Sequence, residues 1–468
     1  MTSAWLRPAA DEPTALIPAT RMPRLRGAER LRPTGVPQIW VLGTALLGAA
    51  LELAAGRAAS GLLGARGRGF EIATQQRALR RGVRAMGRLK GPFAKLGQFG
   101  AIRFDVLPKD ATEALATLRD RVPPLPFARI RAVVEAELEC PLATAFAEFD
   151  AEPLGAASIA QAHRARLPNG DPVVVKVQYP WLAASLDADL RIVRWLLGWV
   201  GNARRGSGGA DVLFREFGDG LREELDFERE ARVAAEIAAN LAGDAAVLVP
   251  EVIAGHSTRR VLTMRHYPAV GISDRAGLAR LGVEPRAVLE ILARAYNSQV
   301  FVDGLFHADP HPGNLFVVEE PDAARHPRLL FVDFGLSRRL DLTLRRELRQ
   351  GIYALMQRDL AAFLDGMERL GAIAPGYRNA VGTAVASMFE RIQSQGGALA
   401  VGSSQVLSLK SEAVALLRET PGLRIPIDLL LYAKTLSYVF SLGAELDPDV
   451  DMMKLCLPSL LRFLAAND

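Results

Sequence analysis

Cysteine, histidine and aromatic residues are scarce in this 468-residue chain, with two cysteines, six histidines and 7% Phe, Trp and Tyr. Cys140 and Cys456 lie far apart without partners at metal-ligand spacing. That excludes a disulfide framework and a zinc site, and it fits a reducing compartment. Long apolar runs are also missing. Residues 39–51 carry no charge, but a spanning helix needs about 20 predominantly apolar residues. Widening the window brings in Gln38, Glu52 and weakly apolar Gly and Ala, so a single span over 39–56 is marginal. The run starts too late for a signal peptide and no clear small-residue cleavage site follows it. No internal repeat is present. What the chain does have is 50% apolar and 23% charged residues, enough for a multi-lobed globular protein and not for a disordered one.

Charge is divided unevenly. Lys and Arg outnumber Asp and Glu by 57 to 52, yet residues 1–103 hold 17 basic and 5 acidic residues, a net +12, which leaves −7 for residues 104–468. Between positions 57 and 103 eleven basic residues face one acidic residue, Glu71. Such a stretch is drawn to anionic lipid headgroups or to nucleic acid, unless it is simply a solvated helix face. Sparse aromatics and the lack of a reading motif argue against nucleic acid. A peripheral position on the cytoplasmic face of a membrane is the expectation.

Four segments are predicted: a mobile basic tail over 1–38, a helical extension over 39–126, a small strand-containing lobe with inserted helices over 127–268, and a helical large lobe over 269–468. Helical patterning runs over 70–118, broken by Pro92 and Pro108, and a Pro-rich linker follows at 123–126. Residues 127–149 read as a helix. Residues 153–177 read as two strands around the turn Pro168-Asn169-Gly170-Asp171. A helix over 181–200, a Gly/Ser loop at 205–209 and one sustained helix over 211–242 come next. Strands are predicted at 247–253, 260–264, 315–318 and 329–332, with a helix over 284–303 and helices throughout after 340.

The most informative segment is HADPHPGN over 307–314, followed after a hairpin by Asp333-Phe334-Gly335. Phosphoryl transfer needs a carboxylate near the attacking oxygen and hard oxygen ligands for Mg²⁺. Asp309 and Asn314, five residues apart, meet Asp333 when the intervening strands pair. His307 and His311 are flanked by prolines, so hydrogen bonding within the loop is favoured over metal ligation. Lys176, in the apolar run Val173-Val174-Val175-Lys176-Val177, places a cation beside phosphates and needs a carboxylate partner. Glu224, Asp226 and Glu230 are on offer. Glu224 and Glu230 are six residues apart, about 240° around a helix, so two partners are implied. Ahead of Lys176 the loop at 155–161 is alanine-rich where kinases carry glycines, and Ala156, Ala157 and Ser158 would approach the phosphates. Lys95 and Gln98, at i and i+3 on a helix, share a face.

Together, Lys95-Leu96-Gly97-Gln98, the Ala-rich loop, Glu224-Leu225-Asp226, HADPHPGN and Asp333-Phe334-Gly335 resemble the UbiB/AarF family of atypical protein-kinase-like proteins, which includes the ADCK group. The resemblance extends over about residues 70–450 and takes in the helical stretch ending Leu446-Asp447-Pro448. It implies an α+β, bilobal protein-kinase-like fold: a small lobe with an antiparallel sheet, a large helical lobe, and an N-terminal helical extension, bearing the KxGQ motif, folded over the active site. It implies ATP or ADP with Mg²⁺ as cofactors. Lys176, paired with Glu230, would hold the phosphates and Asp309 would be catalytic. Asn314 and Asp333 would bind the metal, and Lys95 with Gln98 would form a gate against Glu224 and Asp226. The implied function is an atypical kinase or ATPase supporting lipid or isoprenoid-quinone metabolism at a membrane. A nucleotide-gated lipid or partner binding module is the alternative, and a small-molecule phosphotransferase of the aminoglycoside or choline kinase type is a third reading. The residues themselves disfavour protein phosphorylation in trans, because helical patterning resumes soon after Gly335 without a long activation segment or an Ala-Pro-Glu anchor. Two departures stand out. The family's hydrophobic C-terminal segments are replaced by a broken pattern over 455–466 containing Pro458 and Arg462, and Arg265 occupies an interlobe position that is usually acidic.

Overall fold

The computed structural model describes residues 38–64, positions 70, 73, 74, 77, 78, 81, 91, 92, 95 and 99, then 124–182, 185–191, 194, 209–394, 416, 417 and 419–465. Residues 1–37, Gln98 and most of the pattern over 70–118 lie outside the described residues. Helix α1 (Gln38–Leu63) comes first. The small lobe follows with α2 (Phe127–Leu138), α3 (Leu142–Ala145), β1 (Glu148–Ala156), β2 (Ala160–Arg166) and β3 (Pro172–Gln178). Next come α4 (Gly209–Glu224), α5 (Phe227–Asn240), β4 (Val247–Leu248) and β5 (Val261–Arg265). Strands β1, β2, β3 and β5 form one antiparallel sheet in that order.

The predicted helix over 127–149 ends early, at Leu138. Glu139 adopts a left-handed conformation at φ 53° and Pro141 follows, so the helix stops and the chain turns into α3 and β1. Three strands, not two, precede Gln178. Pro153 concealed β1, which is an edge strand with register shifts on either side of that proline. The Ala-rich segment is therefore the tip of the β1–β2 hairpin, while the Pro168-Asn169-Gly170-Asp171 turn joins β2 to β3. The sustained helix over 211–242 is two helices, broken at Leu225-Asp226, where the Asp226 side chain caps α5 by accepting the Arg229 N–H. In β3, Val173, Val175 and Val177 alternate into a core shared with Ile130 and Val133 of α2 and Phe217 of α4. Lys176 takes the opposite face, as the two-residue period of a strand requires.

The large lobe contains β6 (Ala269–Gly271), α6 (Arg275–Leu281), α7 (Pro285–Asn297) and a π-helical turn (Ser298–Asp303). Strands β7 (Leu305–Phe306), β8 (Leu315–Val318), β9 (Leu329–Phe331) and β10 (Arg338–Arg339) follow. Helices α8 (Leu342–Gln357), α9 (Leu360–Arg369), α10 (Arg378–Ser394), α11 (Ile427–Leu446) and α12 (Met452–Ala465) complete it. The predicted strand at 247–253 shrinks to β4, which pairs parallel with β9 in a sheet ordered β4-β9-β8-β6. The pairing of β7 with β10 had no counterpart in the sequence reading. A core of Val288, Leu289 and Leu292 from α7, Phe331 and Phe334, and Val439 and Phe440 from α11 lies beneath the β8–β9 hairpin. The result is a bilobal α+β architecture with the β8–β9 hairpin at the boundary.

Candidate active site

Three lysines, each with a carboxylate, converge on one cleft. Lys176 Nζ lies 2.8 and 3.0 Å from the two Glu230 oxygens and 2.8 Å from Asp333 Oδ1, with the Phe227 ring 5.0 Å away. The break between α4 and α5 sets this up: capping by Asp226 starts α5 in a new direction and buries Glu230 against β3. Asp333 follows β9 in a left-handed conformation, φ 65°, one that Asp tolerates better than most residues. Arg229 ties α5 to the next turn by donating to the carbonyls of Gly335 and Ser337 at 3.5 and 3.4 Å. Burial alone would lower the Lys176 pKa. Asp333 and Glu230 outweigh it and raise the value, so the ammonium stays charged. For Asp333 burial pushes upward, but Lys176 and then Lys95 hold the carboxyl far below the usual range.

The HADPHPGN loop is held from behind. Buried His307 donates from Nε2 to the Val332 carbonyl at 3.0 Å, its backbone N–H donates to Gln299 Oε1 at 2.9 Å, and the Tyr296 hydroxyl donates to its carbonyl at 3.1 Å. Burial lowers the His307 pKa despite the neighbouring Asp309 and keeps the ring neutral. His311 accepts the Gly313 N–H on Nδ1 at 3.1 Å. Both histidines thus serve loop geometry, and among the described residues no group of three His, Cys, Asp or Glu could hold a metal. The Asn314 amide donates from Nδ2 to the Asp309 carbonyl at 3.0 Å, which leaves Oδ1 as its remaining acceptor. With one oxygen of Asp333 engaged by Lys176, the other and Asn314 Oδ1 form a small hard-oxygen donor set, suited to Mg²⁺ and not to a soft metal.

Described residues of the extension reach the cleft. Gly91 donates its N–H to the Ser158 carbonyl at 2.9 Å, and Lys95 in the following turn forms an ion pair with Glu224. Phe99 packs edge-on against Phe217 of α4, centroids 5.4 Å apart. Glu224 and Glu230 do serve two different lysines, although the reason is the break at Leu225-Asp226 and not the pitch of one helix. Asp226 departs from the reading that put it in the gate: its Oδ1 caps α5, and it is not among the residues that line the cavity. Gln98 lies outside the described residues. Ala156, Ala157 and Ser158 line the same cavity of about 450 Å³ as Lys95, Lys176, Glu224, Glu230, Asp309, Asn314 and Asp333.

A further lining residue lies outside every motif. Lys434 of α11 places Nζ 2.6 Å from Asp309 Oδ1. The signal was present as a lone lysine in the apolar run Leu429-Leu430-Leu431-Tyr432-Ala433-Lys434, the same anomaly that singled out Lys176. Burial would raise the Asp309 pKa, but Lys434 more than offsets it and the carboxyl stays ionised. Arg265, the other sequence anomaly, pairs with Glu251 at 3.3 Å and Asp171 at 3.5 Å and is not part of the cavity lining.

A family model described as the ABC1 atypical kinase-like domain matches residues 117–365. Among curated proteins, the chain is 33% identical over 407 residues to "Probable protein kinase UbiB" of Aeromonas hydrophila, covering 84% of this chain and 72% of that protein. It is 30% identical over 413 residues to "Protein ACTIVITY OF BC1 COMPLEX KINASE 8, chloroplastic" of Arabidopsis thaliana, covering 81% and 54%. The chain therefore spans between about half and three quarters of the length of these two relatives. A solved chain of the Rv3197–erythromycin complex of Mycobacterium tuberculosis is 24% identical with a TM-score of 0.47, covering 77% of this chain and 93% of that one. By the matched model and these relatives, the chain belongs to the ABC1 atypical kinase-like family, which takes in the UbiB and ADCK-type proteins.

Proposed function

We propose that this protein binds Mg-ATP and transfers or hydrolyses its terminal phosphoryl group, in support of lipid or isoprenoid-quinone metabolism at a membrane surface. The observation that carries the reading is the placement of Lys176, shared by Glu230 and Asp333, on the same cavity as Asp309 and Asn314. Lys176 would engage the non-transferred phosphates beneath the β1–β2 hairpin tip, where Ala156, Ala157 and Ser158 line the space. Mg²⁺, when bound, would be held by Asn314 and Asp333 and would neutralise phosphate charge. Asp309, ionised and 26% exposed, orients the attacking oxygen of water or a hydroxyl.

Peptide substrates fit poorly. Only six residues separate Gly335 from the first residue of α8, and the extension stands beside the phosphate-facing loop. A small or lipid-like acceptor, or water, is the better reading. The Lys95–Glu224 pair favours a second reading, a nucleotide-gated module whose bound nucleotide sets its affinity for lipid or a partner without turnover. Phosphate release by wild type and Asp333→Asn, with and without anionic liposomes, separates the readings. Loss of at least about 10² of the wild-type rate in the variant supports the enzyme. Turnover by Asp333→Asn at the wild-type rate overturns the role of Asp333. Undetectable release from wild type in both conditions, with Mg-ATP still bound, supports the module.

A further inference from the structure

Each lysine and arginine of the described lining has a carboxylate partner, and the four pairings are not equivalent. Lys176 is taken by Glu230 and Asp333, Lys95 by Glu224, and Arg338 by Glu223 at 2.7 Å. Lys434 alone among the cations of the described lining is paired with Asp309, the carboxylate at the attacking oxygen. Its position is built in. Ile427, Leu431, Lys434 and Tyr438, at i, i+4, i+7 and i+11, present one face of α11 to the cavity. The Tyr438 ring lies 5.5 Å from Lys434 Nζ and 6.0 Å from the His311 ring, which joins the lysine to the HADPHPGN loop. At the start of α11, Asp428 lies 3.7 Å from Arg338 just beyond the Asp333-Phe334-Gly335 turn.

Transfer breaks the bond between the terminal phosphorus and the bridging oxygen, and that electron pair stays on the departing nucleoside diphosphate. The new bond forms to the oxygen of water or a hydroxyl, whose proton goes to Asp309. Charge accumulates on the peripheral phosphoryl oxygens next to the attacking oxygen, so a cation is needed on the Asp309 side of the cleft. We propose that Lys434 is a catalytic residue whose ammonium contacts the terminal phosphoryl group during transfer and releases Asp309 for the acceptor as it does so. The assignment rests on the Mg-ATP reading above.

Titrations of the full chain with Mg-ATP and Mg-ADP, followed by thermal shift and calorimetry, test it on wild type, Lys434→Met and Lys434→Arg. One charge-assisted contact to the terminal phosphate is worth about tenfold or more. Lys434→Met should therefore keep Mg-ADP affinity while its ATP-to-ADP affinity ratio drops about tenfold from the wild-type ratio, and Lys434→Arg should recover most of the loss. Where wild type turns over, phosphate release by the Met variant should fall by about 10² or more. An unchanged ATP-to-ADP ratio in the Met variant overturns the assignment. Equal loss of both nucleotides in the Met and Arg variants also overturns it, because the lysine would then only support the fold. Wild type that binds neither nucleotide defeats the Mg-ATP reading itself, and the role of Lys434 falls with it.

Discussion

Beneath the β1–β2 hairpin, Gln161 accepts the Leu125 N–H on Oε1 at 2.8 Å and directs Nε2 toward His163 Nε2 at 2.9 Å. His163 in turn donates from Nδ1 to the Asp150 carbonyl at 2.8 Å. The amide donor facing Nε2 leaves no room for a second ring proton, so His163 is neutral, and burial lowers its pKa below the ordinary 6.5. The folded state therefore resists a proton that the unfolded chain accepts, and stability rises with pH between the lowered value and 6.5. Denaturant midpoints should fall as pH drops from about 7 to about 5, and His163→Leu should flatten that slope. An equally steep slope in the variant would assign the effect elsewhere, to His307 first. At this scale the sequence was legible where chemistry and spacing coincide, as for Asp309, Asn314, Asp333 and Lys176. Asp226 was misread because a carboxylate two residues from Glu224 looks the same whether it caps a helix or binds a lysine. Lys434 stood out only as a lone lysine in an apolar run, with no motif tying it to Asp309 125 positions away.

The docking of the extension turns on Gly91. It holds φ at +59°, and a methyl group there would come within 2.5 Å of Leu182 Cδ2. Gly91→Ala should cost about 1–2 kcal/mol for the left-handed conformation, with the Leu182 overlap in addition. The N–H contact to Ser158 would loosen, and Lys95 would lose its registry with Glu224. Hydrogen exchange and limited proteolysis should show faster opening around residues 91–99, with the β3 and α7 amides unchanged; equal protection of the extension in both proteins would show that the glycine is replaceable. Element types after Leu340, the β8–β9 hairpin and the helix at 285–297 could be read from periodicity. Boundaries failed where one residue overrode a pattern: Pro153 hid an edge strand, Glu139-Cys140-Pro141 cut a helix, and Asp226 split another. The β7–β10 pair joins residues about thirty positions apart through only two residues a side, too short to leave a periodic trace.

Over the whole molecule the basic excess stays at the N-terminal end, ahead of a core whose carboxylates serve the cleft. None of the described helices is long and apolar enough to cross a membrane. Helix α1 presents Leu47, Leu51 and Leu62 to solvent and is linked to the basic stretch by the 2.7 Å Glu52–Arg81 pair. Removing residues 1–60 should weaken co-sedimentation with anionic vesicles several-fold and leave Mg-ATP binding in calorimetry unchanged. Undiminished vesicle binding would leave the lipid contact to the basic residues beyond position 60. Lys95, Lys176 and Lys434 face Glu224, Glu230, Asp333 and Asp309, four carboxyl groups to three amines. The cleft therefore works as an ion exchanger already loaded with its own counter-ions. A nucleotide must displace tethered carboxylates, so affinity measures a swap between two sets of anions, and substituting a carboxylate changes the competitor as much as the host.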